Sequence, residues 1–171
     1  PGGRGLPPVE CWLRGASRDM VSEAIQAMLR ENLGIDMKIL GQDRKVYVDN
    51  MYQYNIPMSL ITFVYDFVDP HNMLGMVWHS RPKGTGRHDW ANKDFDQLVD
   101  NAASEMNPTK RAAMYMEAEE ILASDVGGVF IYHTLPMVLR KPWLKGIDKN
   151  EAGFYSNSQP VTKTRIYMGQ N

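Results

Sequence analysis

Two carboxylates lie three residues apart in Phe63-Val64-Tyr65-Asp66-Phe67-Val68-Asp69-Pro70. The run before them, Ile56 to Val64, is apolar except for Pro57, Ser59 and Thr62. Such a run reads as a buried strand, which places Asp66 where the chain leaves a sheet. In an open α/β sheet, ligands bind outside the carboxyl ends of the strands, so Asp66 stands where a ligand-facing charge belongs. Its neighbours Phe63, Tyr65 and Phe67 can line a pocket, since ligand sites are mostly apolar with few polar anchors. They can equally point into the core. Asp69 precedes Pro70, whose ring disfavours helical geometry at the residue before it. Asp69 therefore reads as a turn or cap acid at the start of a new helix.

Other side chains with chemical potential form no recognisable constellation. The histidines His71, His79, His88 and His133 lack the spacing of a preformed metal site. Lys83-Gly84-Thr85-Gly86 lacks the Gly-Lys-Ser/Thr ending of a phosphate loop and the strand before it. Cys11 has no nearby histidine and reads as a buried, inert thiol. Ser124, Ser156 and Ser158 stand in no nucleophile elbow. No catalytic residue, metal or cofactor is assigned. The rival is an α/β enzyme using Asp66 and Asp69 as catalytic or metal-binding acids, and it wants a base, nucleophile or phosphate cradle.

The 171 residues suffice for one domain, or one lobe and a tail, with a sizeable core. A net charge of -1 provides no bulk basic field for nucleic acid. A single cysteine excludes an intramolecular disulfide, and no apolar run approaches the ~20 residues of a membrane span. The chain opens on Pro1 and reads as a piece of a longer protein, so its lack of a signal peptide says nothing about location.

The elements that must position the acids follow from periodicity. Residues 1–8 hold three glycines and three prolines and read as a linker. Strands are predicted at Val9–Leu13, Ile35–Leu40, Met58–Val64 and Val129–Tyr132, with another at Met137–Leu139. Helices are predicted at Arg18–Leu33, capped by Ser17 and ended by Gly34, and at Arg44–Tyr54 with Val48, Met51 and Tyr52 inward. A short helix follows Pro70 through Met73, Leu74 and Val77. Asn92 caps a helix with Phe95, Leu98, Val99, Ala102 and Ala103 on one stripe, and Asn107-Pro108 starts another that runs to Ala123. Strand, helix, strand, helix, strand at this spacing predicts a parallel sheet. Lys141–Asn171 is polar and weakly periodic and reads as a tail.

The order of motifs resembles the bacterial extracellular solute-binding proteins of family 5, the oligopeptide-, dipeptide- and nickel-binding components of ABC importers. Five stretches carry the resemblance: Ala24 to Asp36, Tyr65 to Pro70, Asp94-Phe95-Asp96-Gln97-Leu98, Arg111 through Leu122, and Lys141 to Gly146. The family's usual Trp before the acidic loop is Phe63 here, and its Tyr after the acid is Phe67. A basic residue that some oligopeptide-binding members carry upstream is Leu60. The resemblance implies an α/β lobe of the type II periplasmic-binding-protein-like fold, a mostly parallel sheet with helices on both faces. Residues 9–140 would be the carboxy-terminal lobe, without its partner lobe, and 141–171 a tail returning toward the hinge. It also implies binding of a peptide-like solute between two lobes, delivery to an ABC permease, and a periplasmic or extracellular, membrane-associated location. In peptide-binding relatives the acid matching Asp66 pairs with the ligand's amino terminus. Phe63, Tyr65 and Phe67 would line the same site. A regulatory ligand-binding domain is the remaining alternative.

Overall fold

In the computed structural model, residues 5–15, 19–133, 139, 141–145 and 167–168 are described. The chain divides into two compact units, Pro1–Gly128 and Val129–Asn171.

The first unit opens with strand β1 (Val9–Arg14), helix α1 (Met20–Leu33), strand β2 (Met37–Gln42), helix α2 (Arg44–Tyr52) and strand β3 (Met58–Leu60). The three strands form a parallel sheet in the order β2-β1-β3. Cys11 pairs in register with Ile39 on one side and Met58 on the other, and Leu13 with Gly41 and Leu60. Strand alternation sends Cys11, Leu13, Met37 and Ile39 to one face, where Ile25 and Leu29 of α1 cover them and Met58 and Leu60 join. On the other face Glu10, Arg14 and Lys38 are exposed, with Trp12 and Leu40 half-buried. Asp19 caps α1 in a reciprocal box with Ser22, and Gly34 closes the helix at φ 66°. The amide of Gln26 reaches the Met37 carbonyl at 2.6 Å and ties α1 to β2.

The second half of this unit is helical. Helix α3 (Pro70–Met73) runs into a π-helical turn (Leu74–Trp78), followed by α4 (Lys93–Ser104) and α5 (Pro108–Ser124). Asn92 and Asn107 cap α4 and α5 by accepting two backbone N–H groups each, and Pro108 sits in the first turn of α5. The pair buries Phe95, Val99, Ala102, Tyr115, Ala118 and Leu122 against Leu74, with Trp78 and Trp90 at the margin.

Several elements differ from expectation. β3 stops at Leu60 instead of Val64 and is an edge of the described sheet, because its pairing with β1 ends at Leu13. β2 runs two residues further than expected, since β1 still offers Leu13 and Arg14 as partners to Gly41 and Gln42. In α2 the fully buried side chain is Tyr47, with Val48, Met51 and Tyr52 only partly covered. Asp19, not Ser17, caps α1, and Ser17 lies outside the described residues. Val129–Tyr132 forms no strand, for no described strand pairs with it. In the second unit β4 (Leu144–Lys145) and β5 (Tyr167–Met168) pair antiparallel. Most of the expected tail, Met137 of the expected Met137–Leu139 strand, Ser156 and Ser158 lie outside the described residues.

Candidate functional site

After Leu60 the chain runs without regular structure through Tyr65, bends from Asp66 to Asp69, and enters α3 at Pro70. Asp66 therefore lies six residues beyond the last paired strand residue, not at the strand's end. The missing step is physical: Ile61 and Val64 are exposed and no strand pairs with them, so the apolar run carries no ladder beyond Leu60.

Within this loop Phe63 and Tyr65 meet edge to face, with ring centroids 6.5 Å apart. The Arg87 guanidinium lies over the Phe63 ring at 5.2 Å, a cation–π contact. Partial burial pushes the Tyr65 phenol up, and the carboxylate of Glu119 adds to this. Phe67 is half-exposed. The Asp66 side chain is exposed, and among the described residues no hydrogen bond or ion pair reaches its carboxylate. The four predicted site residues thus share one loop. Phe63 and Tyr65 touch, whereas the Asp66 side chain is exposed to solvent and Phe67 is half-exposed.

The far end of the loop is held firmly. Asp69 has an extended backbone (φ -156°, ψ 138°), as the residue before a proline should, and its carboxylate accepts the His71 N–H at 2.8 Å. The same carboxylate receives both terminal nitrogens of Arg111 on α5, at 2.9 and 2.8 Å. Such a fork-to-fork pair adds direction as well as charge. The Arg111 hydrogen bonds hold the Asp69 carboxyl below the usual carboxylate range, and the Arg111 pKa rises in return. Arg111 also donates to the Tyr115 hydroxyl at 3.3 Å and lies 4.8 Å from its ring centroid. His71 Nδ1 meets that hydroxyl at 3.1 Å. Burial drives the Tyr115 phenol upward. The chain is tight enough here that a Cβ on Gly75 would overlap the His71 ring.

One residue links the held end to the free one. Asn72, fully buried on α3, accepts the Asp66 backbone N–H on its Oδ1 at 3.1 Å, and its own N–H donates to the Asp69 carbonyl at 3.0 Å. Asn72, Tyr115 and the partnership of Arg111 with Asp69 were not anticipated from sequence. Arg111 and Asp69 are 42 residues apart, so no local pattern pairs them. A weak signal existed in the four-residue spacing of Arg111 and Tyr115, which puts both on one helix face.

Elsewhere, His79 sits between Asp96 (3.6 Å) and Asp100 (3.2 Å) at the edge of α4. A shallow concavity lies between α1 and β2, beside Arg30, Glu31 and Asp36, and includes none of the loop residues. Among the described residues no helix is long and apolar enough to cross a membrane.

No family model matches the chain. Individual proteins do. The dipeptide-binding protein DppE of Bacillus subtilis is 28% identical over 134 residues, 78% of this chain and 24% of that protein. The periplasmic murein peptide-binding protein MppA of Escherichia coli is 29% identical over 145 residues, 84% of this chain and 27% of that protein. The unliganded open form of MppA superposes with a TM-score of 0.62 at 26% identity, over 85% of this chain and 28% of its own. The chain spans about a quarter of the length of the curated relatives it matches. Its structural neighbours have the type II periplasmic-binding-protein fold, in agreement with the parallel α/β arrangement. Over that quarter, the proteins to which this chain is homologous are members of the solute-binding protein family 5.

Proposed function

We propose that this chain is one α/β lobe of a two-lobed solute-binding protein, which holds a peptide-like solute between its lobes and hands it to an ABC permease. The place of action is then the periplasmic or extracellular side of the membrane, and no catalytic step is involved. The observation that carries this reading is homology, over most of the chain, to proteins named for binding peptides. The loop supports it: Asp66 offers a free carboxylate beside Phe63, Tyr65 and Phe67, on a segment anchored at Asp69. A carboxylate accepts charge-assisted hydrogen bonds from a peptide ammonium, worth roughly 1.5–3 kcal/mol each when sheltered from water.

Shelter is what a single lobe lacks. An exposed ion pair contributes about 0–1 kcal/mol, against the ~4–15 kcal/mol of translational and rotational freedom lost on association. Closure of a second lobe over the ligand excludes water and adds backbone hydrogen bonds. The test is calorimetry on the two-lobed protein with free and amino-acetylated forms of one peptide. Asp66→Asn keeps the shape and removes the charge. It should weaken the free peptide by ~2–5 kcal/mol more than the acetylated one. Equal losses, or none, would make Asp66 a structural or solvated acid.

A further inference from the structure

We propose that Asn72 and the Asp69–Arg111 ion pair form a two-point clamp that positions the Asp66 loop, so that helix α5 governs the affinity of a carboxylate it does not touch. The inference rests on the reading of Asp66 as the amine anchor.

The two points act in series. The first is Arg111, whose planar fork fixes both the position and the orientation of the Asp69 carboxylate. Asp69 in turn caps α3 through the His71 N–H, so the start of that short helix is fastened to α5. The second point is Asn72, two residues further on. Its side chain is fully buried and leaves α3 to capture the Asp66 backbone N–H. A buried amide is costly to leave unpaired, which favours the arrangement that satisfies it. Asp69 N–H donates to the Phe67 carbonyl at 3.0 Å and closes the turn between the two points. The result is an exposed carboxylate on a backbone held from below. The residues before it are held differently: Ile61 and Val64 are exposed and outside regular structure, and the contacts on that side are those of Phe63 with Tyr65 and Arg87.

Asn72, Asp69 and Arg111 are positioning residues in this scheme. Their effect is on the population of the ligand-ready loop, because apparent affinity falls in proportion to the fraction of competent conformers. If removal of a clamp point cuts that fraction to about a tenth, the Kd for a free-amine peptide rises about tenfold. An acetylated peptide, which makes no ion pair with Asp66, loses less.

The experiment uses the two-lobed protein, one peptide in free and amino-acetylated forms, and the ratio of their Kd values. The variants are Asn72→Ala, Arg111→Gln, Arg111→Lys and Asp66→Asn. The clamp predicts that Asn72→Ala and Arg111→Gln reduce the preference for the free peptide by roughly tenfold. Arg111→Lys keeps the charge but not the fork and should fall between wild type and Arg111→Gln. Amide exchange at Asp66 in the unliganded protein should accelerate in Asn72→Ala, which reads the clamp even where overall stability drops. If Asp66→Asn abolishes the preference while the Asn72 and Arg111 variants keep it, the clamp is overturned and the anchor stands. If Asp66→Asn leaves the preference intact, the anchor reading fails and the clamp falls with it. Equal weakening of both peptide forms with unchanged exchange at Asp66 assigns Asn72 and Arg111 to general stability and also overturns the clamp.

Discussion

The helical half and the sheet half of the first unit build their cores by different means. In the helical half Phe95, Val99, Ala102 and Ala118 are completely inaccessible, and all belong to two helices adjacent in sequence. In the sheet half Cys11, Leu13, Met37 and Ile39 retain a few percent of exposure, and they come from strands separated by a helix. The sheet ends in a three-residue edge strand and shows charge on its second face. The difference teaches where the loop gets its order. The segment 61–68 leaves the lightly held edge of the sheet and is fastened on the side of the well-packed helices, where Asn72 of α3 holds the Asp66 backbone and Arg111 of α5 grips the next acid, Asp69.

The comparison is broken most directly by emptying the helical core. Phe95→Ala removes a ring that is fully buried and packed edge to face on Trp90 at 5.0 Å. Denaturant titration should show a loss of about 3–5 kcal/mol. A loss below about 1 kcal/mol would show that the helical layer repacks easily and is no firmer than the sheet.

Met37→Ala probes the other half. Met37 is 2% exposed in β2 and lies on the face covered by α1. Here the expected loss is about 2 kcal/mol, the low end for such a truncation, since a three-stranded sheet that ends in a short edge strand can relax around the gap. A cost equal to that of Phe95→Ala would erase the contrast between the halves.

The smallest effect concerns acid. The folded-state pKa of Asp69 is depressed, first by its hydrogen bonds from Arg111 and then by the His71 N–H. A depressed carboxylate contributes stability above its unfolded pKa and loses that contribution as pH falls through its folded value. Arg111 stays charged throughout. The loop should therefore remain fastened across neutral and mildly acidic pH and loosen only below the ordinary carboxylate range. Because both partners are partly exposed, the stability at stake is about 1 kcal/mol or less. Asp69→Asn, which keeps a capping oxygen, should flatten this part of the acid limb of a stability-versus-pH curve. An unchanged limb would place the acid sensitivity elsewhere.

The helical half was legible in the sequence almost residue by residue. Asn92, Asn107 and Pro108 announce helix starts through local chemistry, and the stripe of Phe95, Val99 and Ala102 is one face of one helix. The sheet was legible in kind and order but not in extent. An apolar run such as Ile56–Val64 continues as a strand only while a neighbour supplies partners, and β1 supplies none to this side beyond Leu13. Val129–Tyr132 has the composition of a strand and no described partner. For the candidate site, the sequence marked the loop and its acids, and the family resemblance supplied a role for Asp66.

By itself, then, the sequence determined the alternation of strands and helices in the first unit, the end of α1 at Gly34, the starts of α4 and α5, the aromatic-acid loop and its proline stop, and through them the resemblance to solute-binding proteins. These depend on interactions within about four residues, which spacing records. Only the tertiary structure decided where β3 ends, that Tyr47 is the buried residue of α2, and that Asp69 belongs to Arg111 while Asn72 holds the backbone of Asp66. Strand pairing and the meeting of side chains 42 residues apart depend on how packed layers bring distant segments together, and no local period encodes that distance.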